Sequence, residues 1–370
     1  MSAHWRESGL FRDESRHRTL SAGEHLFREG DEGEEMFILV AGELDITLRG
    51  QLIDRLNGGD MLGEMALVGD GLRSATATAT TDLTVLPVNA ARFTELVGKY
   101  PEFARDVMSV MSSRLRRLIT QEVQRQRLEQ EMAIGHQIQL SLLPEQSPTI
   151  EGWQFKSFYQ AARQVGGDFY DFVLTPERPK ALNIIVGDVT GKGVPAAMFM
   201  AVTRTLIRSE TFNRESPAEA LERANALLRR DSRAPLFLGA SLMAVDTDSG
   251  AFTFANAGHE LPLWLHMATG AVERIEARGM VLGAFDQTFS QEVSGTLQSG
   301  DAVLFFTDGV TEARDAAGDF FGDERLEAAL RTCGGLTAAG IAEQVVAAVM
   351  QFTGDMPQAD DLTLVVAQRA

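Results

Sequence analysis

Leu182–Met200 reads LNIIVGDVTGKGVPAAMFM, and its reading decides the architecture of the second half of the chain. An apolar run stops on Gly187-Asp188. Gly191 and Gly193 follow in a short loop, and Pro195 opens an alanine- and methionine-rich helical pattern. The order is buried strand, tight loop, helix N-terminus, with proline near the first helical position that such starts prefer. A carboxylate at the open end of a buried strand either caps the next turn or holds a cation or an attacking water. The choice turns on whether other carboxylates occupy the same kind of place.

Three sets do. Asp308 ends the run AVLFFT and precedes Gly309, so DAVLFFTDG repeats the design of LNIIVGDVTG. Asp360-Asp361 stand immediately before LTLVVAQ, and Asp168 follows Gly166-Gly167 at the head of DFYDFV. In antiparallel sheets strand starts and strand ends meet on one edge, so these carboxylates can converge. Like charges at close range raise one another's pKa unless protons or shared cations intervene. Two divalent cations about 3.5–4 Å apart also make a nucleophile from water for attack on phosphorus. None of the six histidines forms a pair at zinc-ligand spacing. Carboxylate oxygens are therefore the expected ligands, and magnesium or manganese the expected metal.

The totals bound the rest. At 370 residues two domains are the natural expectation, and 44% apolar with 23% charged residues is a globular composition. A formal net charge of −18 argues against a nucleic-acid binder, which needs clustered Lys and Arg. No apolar run reaches bilayer length, and the polar start MSAHWRESGLFRDES does not read as a signal peptide. The one cysteine, Cys333, rules out an internal disulfide framework. These features predict a cytoplasmic protein without a membrane partner.

Residues 1–20 read as a helical lead-in. From Leu20 to about Val88, glycines 23, 30, 33, 42 and 50 separate short apolar or alternating runs, as in a small β-barrel or jelly roll. Gly63-Glu64 then opens a short helical turn, and Arg73-Ser74-Ala75 leads into an alternating strand. Exposed N–H groups at such a turn, a carboxylate for sugar hydroxyls and an arginine for a bidentate phosphate pair would make an anion site. Taken bare, Glu64 and Arg73 read more readily as a surface ion pair. The β-roll glycines, LGEMAL, and RSATATA nine residues after Glu64 together resemble the cyclic-nucleotide-binding domain family over roughly residues 10–120. That resemblance implies a ligand set of Gly63, Glu64, Ala66, Arg73, Ser74 and Ala75, with Glu64 on the ribose and Arg73 on the cyclic phosphate. Ser74 stands where threonine favours cGMP, so cAMP is preferred. Leu62 and Leu72 replace a usual aromatic residue and a frequent proline, and neither removes a ligand-contacting group.

Ala90–Ile119 reads as helix and continues through RLRRLITQEVQRQRLEQEMAIGHQIQLSLLP to Pro144. No DNA-reading helix-turn-helix follows. Met111, Leu115 and Leu118 begin a heptad-like seam, Gln121–Arg127 interrupts it, and Leu128 and Met132 resume it. The pattern fits a weak parallel homodimer or a solvated spacer. Arg114, Arg116, Arg117, Arg125 and Arg127 read as a solvated face.

Residues 145–370 alternate short strands with grouped helices, which predicts an α+β domain of packed antiparallel sheets. QIQLSLLP, ARQVGGDFYDF, VGDVTGKGVPAAM, NAGHELPL, MVLGAF, LFFTDGVTEARD and ADDLTLVV, in that order, resemble the protein phosphatase 2C-like (PPM) superfamily in its sporulation stage II E and general-stress branch. The resemblance implies an αββα sandwich with two Mn²⁺ or Mg²⁺ ions. Asp188 would bridge them, helped by the Val189 carbonyl; Asp168 would hold one and Asp308 and Asp360 the other, with catalytic roles at Asp188 and Asp308. Asp361 stands where many relatives have asparagine, so either member of that pair is a candidate ligand. Lys192 is an electrostatic helper, and Asn256, Gly258 and His259 shape a turn. The expected organisation is a sensor (1–120), a helical linker (121–144) and a phosphatase domain (145–370). The expected partners are a cyclic nucleotide and a phosphoprotein such as an anti-sigma-factor antagonist. The rival is a catalytically inactive sensing module.

Overall fold

The computed structural model describes residues 14–68, 71–175, 178–213, 215–231 and 235–370. The chain divides into two compact units, Met1–Arg127 and Leu128–Ala370. Most of the expected N-terminal lead-in lies outside the described residues. Glu14–Arg16 is a single 3-10 turn, and Arg18–Leu20 is a strand instead of a helix.

The first unit holds β1 (Arg18–Leu20), β2 (His25–Phe27), β3 (Glu35–Ala41), β4 (Glu43–Leu48), β5 (Gln51–Asn57), β6 (Met61–Leu62), α1 (Glu64–Val68), β7 (Thr76–Ala79), β8 (Leu83–Asn89) and α2 (Ala90–Lys99). Helix α3 (Pro101–Leu142) begins in this unit and ends in the next. Two four-stranded sheets, ordered β1-β8-β3-β6 and β2-β7-β4-β5, form the β-roll. MFILVA within β3 is apolar throughout, and its residues 36–39 are covered on both faces. Phe37 and Leu39 meet Leu44, Leu56 and Val85 in one core, while Met36 and Ile38 meet Leu96 of α2 and Phe103 and Val107 of α3 in another.

The expected single helix from Ala90 is two helices. The Asn89 side chain caps α2 by accepting from the Arg92 N–H at 3.0 Å. Proline lacks an N–H and clashes with a preceding helical turn, so Pro101 closes α2 and opens α3. Beyond Pro101 the helix runs unbroken for 42 residues. Leu115, Leu118, Leu128, Ile134 and Ile138 along it are all more than half exposed.

The second unit continues with β9 (Trp153–Gln160), β10 (Phe169–Thr175), β11 (Arg178–Val189), α4 (Val194–Asn213), α5 (Pro217–Asp231), β12 (Leu238–Asp246), β13 (Ala251–Ala257), β14 (Leu263–His266), β15 (Ala271–Arg274), β16 (Glu292–Thr296), β17 (Ala302–Phe306), α6 (Asp308–Thr311), α7 (Gly322–Arg331), α8 (Ala338–Thr353) and β18 (Leu362–Arg369). Two antiparallel five-stranded sheets run β10-β11-β12-β13-β16 and β15-β14-β17-β18-β9. Ile184, Leu242 and Phe254 of the first share one core with Phe305, Val365 and Ala367 of the second, and α4 and α5 add Met200, Ile207 and Leu221 to it. The alternate residues of the second sheet, Leu304, Phe306, Leu364 and Val366, pack with Leu326 of α7 and Ile341 and Val345 of α8. Strand alternation thus gives the central strands apolar side chains on both faces, and their polar residues collect at strand ends.

Candidate metal centre and ligand pocket

Register decides what meets at those ends. Phe169 pairs with Gly187 across β10 and β11, which sets Asp168, one residue before β10, opposite Asp188, one residue before the end of β11. In the other sheet Phe306 pairs with Leu364 at the end of β17 and near the start of β18. Thr307 and Thr363 therefore face each other, and the Thr307 N–H donates to the Thr363 carbonyl at 3.1 Å. Both hydroxyls donate to Oδ2 of Asp168, Thr307 at 2.7 Å and Thr363 at 2.6 Å. The edge of one sheet is tied to the edge of the other through a buried carboxyl.

The charge gathered there is large. Asp168 is held well above the usual carboxylate range, first by burial, then by Asp188 and Asp361. Burial pushes Asp188 up to about 7; Asp308, Asp360 and Asp361 add to this, while a hydrogen bond from the Asp168 carboxyl opposes it. Burial, then Asp360 and Glu312, lift Asp308 to about 6. Asp360 lies 2.7 Å from the Lys192 ammonium, which also donates to the Ala359 carbonyl at 2.8 Å. Its neighbour Asp361 is occupied differently. One oxygen accepts from the Ala162 N–H at 2.8 Å and the other from the Gly167 N–H at 2.6 Å, so this side chain fixes the loop that presents Asp168. A side chain on Gly167 would come within 2.7 Å of the Val189 carbonyl, and one on Gly309 would run into the Asp361 backbone.

Among the described residues no group of three or more acidic, His or Cys side chains is already arranged as a metal cage. What the edge offers is a set of hard oxygen donors whose mutual repulsion is relieved by protons and one lysine. Divalent cations of the magnesium or manganese type fit that donor set.

The expected turn is present beside this edge. Asn256 accepts from the His259 N–H at 3.0 Å and donates to its carbonyl at 2.9 Å. Burial lowers the His259 pKa to about 4, so its imidazole is neutral.

These shifts set a pH dependence. A carboxyl whose folded pKa exceeds its unfolded value of 3.8 keeps a proton that the unfolded chain has released, so stability falls as pH rises through the folded pKa. His259 works oppositely, costing stability as pH drops below 6.5. In EDTA the melting temperature is therefore expected to rise by roughly 5 °C between about pH 7.5 and about pH 6, and to go on rising toward about pH 5, because Asp188 and Asp308 together outweigh His259 there. Differential scanning fluorimetry checks this, and a falling melting temperature over that interval contradicts it.

The β-roll holds a second assembly. Arg73 is buried and its guanidinium stacks 4.4 Å from the Phe27 ring centroid. Its Nη1 donates to the Glu35 carbonyl at 2.7 Å and the Gly63 carbonyl at 3.3 Å, while Nε has no partner in the structure. Gly63 has φ +77°, and a Cβ there would stand 2.6 Å from Nη1. Glu64 is buried too. One oxygen pairs with Arg114 at 2.6 Å and the other has no partner. Glu64 therefore does not pair with Arg73. Two of the five arginines along α3 correct the expectation of a solvated face: Arg114 binds Glu64 and the Met61 carbonyl, and Arg117 binds Asp54 at 2.6 Å. Gly63, Glu64, Arg73, Ser74 and Ala75 line a cavity of about 280 Å³, closed on one side by Arg114, Arg117 and Leu118. Ala66 belongs to α1. A buried acid and a buried base, each with an unused polar atom and facing one cavity, are the marks of a ligand site.

Residues 178–370 match the family model for stage II sporulation protein E (SpoIIE). The chain belongs to that family. The stage II E match spans Asp188, Val189, Asp308, Asp360 and Asp361 and begins after Asp168, which sheet register and the Thr307 and Thr363 hydroxyls bring to the site. Residues 17–100 match the model for the cyclic nucleotide-binding domain, so the chain places such a domain ahead of its stage II E domain. The chain is similar to phosphoserine phosphatase RsbU of Bacillus subtilis, 28% identical over 244 residues covering 66% of this chain and 71% of that one. It is also similar to protein IcfG of Synechocystis sp., 29% identical over 290 residues, 70% of this chain but only 44% of the relative. The SiaA-PP2C domain of Pseudomonas aeruginosa shares the fold of the stage II E domain, with a TM-score of 0.59 at 24% identity over 66% of this chain and 98% of that one. Among the described residues no helix is long and apolar enough to cross a membrane.

Two groups of residues in these sites escape a reading of the sequence. Thr307 and Thr363 are flagged only by their place beside Asp308 and Asp361. Arg114 and Arg117 have partners 50 and 63 residues away, which no local pattern announces.

Proposed function

We infer that this is a cytoplasmic, metal-dependent phosphoserine/phosphothreonine protein phosphatase whose activity is set by a cyclic nucleotide, with cAMP preferred over cGMP. The sensor comprises residues 1–120, a linker able to pair with a second copy 121–144, and an αββα phosphatase domain 145–370. The substrate is a phosphorylated regulatory protein such as an anti-sigma-factor antagonist.

The observation that carries this reading is the meeting of Asp168, Asp188, Asp308 and Asp360 at one edge, with burial and mutual repulsion lifting Asp188 to about 7. In this reading Asp188, with the Val189 carbonyl, would serve both cations, Asp168 would hold one, and Asp308 and Asp360 would hold the other. Asp361 is left out because both its oxygens already accept backbone N–H groups. Two Mn²⁺ or Mg²⁺ ions, when bound, supply Lewis acidity toward the phosphoryl oxygens and acidify a water. The Thr307 and Thr363 hydroxyls orient Asp168. Lys192 keeps a positive charge beside Asp360 until a cation replaces it.

Regulation runs through Glu64. Its contact with Arg114 holds α3 about a third of the way along the helix, and a ribose hydroxyl that takes the same carboxylate alters that hold. A nucleotide acts only through its different affinity for the two arrangements. The test is p-nitrophenyl phosphate hydrolysis with Mn²⁺ or EDTA, with and without cAMP or cGMP. A Mn²⁺-dependent rate that the nucleotide changes is expected; no hydrolysis, or hydrolysis indifferent to metal, overturns the reading.

A further inference from the structure

A recess of about 320 Å³ opens beside the carboxylate edge, a volume in the lower part of the range for ligand sites. One wall is Lys192, Asp360 and Gly309, so the recess is continuous with the edge where the aspartates meet. The other wall is the end of α8 and the turn after it, with Val349, Met350 and Met356 facing in. Met350 is 39% and Met356 44% exposed.

Two polar side chains of the recess, Lys192 and Gln358, are already engaged, while Glu312 and Arg314 also line it. Lys192 holds Asp360 and the Ala359 carbonyl, and Gln358 donates to the carbonyls of Gln160 and Asp360 at 2.8 and 2.7 Å. These contacts keep the turn before β18 in place and leave the methionine wall as the apolar surface open to an incoming group, with Glu312 and Arg314 as its charged lining. Methionine suits that task because its unbranched, polarisable chain moulds to differently shaped apolar partners.

Resting on the phosphatase reading, we propose that this recess is a substrate subsite that takes an apolar side chain flanking the phosphorylated residue of the protein substrate. A phosphoserine brought to Asp188 and Asp308 carries its neighbours within one residue's reach, about 3.5 Å of chain each. The occupant follows from that continuity: the recess adjoins the reacting edge through Asp360 and Gly309, and its free wall is apolar. It therefore selects sequence around the phosphate and takes no part in the bond cleavage.

The test uses the full chain and two fluorescein-labelled phosphoserine peptides, one with leucine and one with glycine on both sides of the phosphoserine. Binding is read by fluorescence anisotropy in Mn²⁺, and hydrolysis by phosphate release. Burial of a leucine side chain predicts about ten-fold or tighter binding of the leucine peptide. In Met350→Ala and in Met356→Ala, each on the surface, the preference is expected to fall to roughly three-fold or less. Equal binding of the two peptides to the wild type, or an unchanged preference in both variants, overturns the subsite. The two readings separate cleanly: a leucine preference without hydrolysis upholds the subsite and removes the phosphatase, and hydrolysis without preference does the reverse.

Discussion

Asp188→Asn is expected to lower Mn²⁺-dependent phosphoester hydrolysis at least about 10³-fold in kcat while raising the melting temperature of the metal-free protein. The two effects have one cause. Asp188 stands near the end of a buried strand with Asp168 hydrogen-bonded to it and Asp308 and Asp360 acting on it, and its pKa is lifted to about 7. Keeping that carboxylate ionised without cations costs stability, and asparagine of the same shape removes the cost. With cations the same negative charge would draw them in, so its loss is expected to weaken their binding. A structural role for Asp188 as a turn cap predicts the opposite pair: activity kept, stability lowered. Steady-state kinetics and a thermal melt in EDTA, run on the same preparation, separate the two.

Arg73→Lys is expected to weaken cAMP binding about 100-fold, read by isothermal titration calorimetry. The guanidinium is already fixed by the Glu35 and Gly63 carbonyls and the Phe27 ring, and Nε remains unused. A planar fork held in advance can take a phosphate through two parallel N–H groups, whereas an ammonium has no fork and cannot stack in the same way. Lysine keeps the charge, so a loss of this size would report geometry and not net attraction. Unchanged affinity would remove Arg73 from the ligand site. The Glu64–Arg114 pair gives a finer readout: Arg114→Ala frees Glu64 and is expected to change the coupling between nucleotide and hydrolysis more than the affinity itself.

The strand-margin aspartates were legible because a buried strand announces itself as an apolar run, and a carboxylate at its end breaks the run at a definite residue. LNIIVGD, LFFTD and DDLTLVV are cases in point, and β11, β17 and β18 bear them out. The division of labour within Asp360-Asp361 was not legible. Both precede β18, and which one turns toward Lys192 is decided by the Ala162 and Gly167 N–H groups that hold Asp361, 199 and 194 residues away in sequence. The arginines along α3 were misread for a related reason. In a polar helix every exposed-looking arginine has the same local pattern, and only the fold brings Asp54 and Glu64 under two of them. Strand β15, four residues reading AVER, is too short for its alternation to stand out from the turn before it. The break at Tyr100 needed only that Pro101 be given its usual weight as a helix opener.

The claim at the centre of this account is that the aspartate edge is a two-cation site. Isothermal titration calorimetry of the metal-free protein with Mn²⁺ tests it without reference to turnover. About two ions per chain are expected for the wild type at neutral pH, with protons released from the raised carboxyls as they bind, and at most about one for Asp188→Asn. No saturable Mn²⁺ binding to the wild type, or the same stoichiometry and heat in the variant, would contradict it.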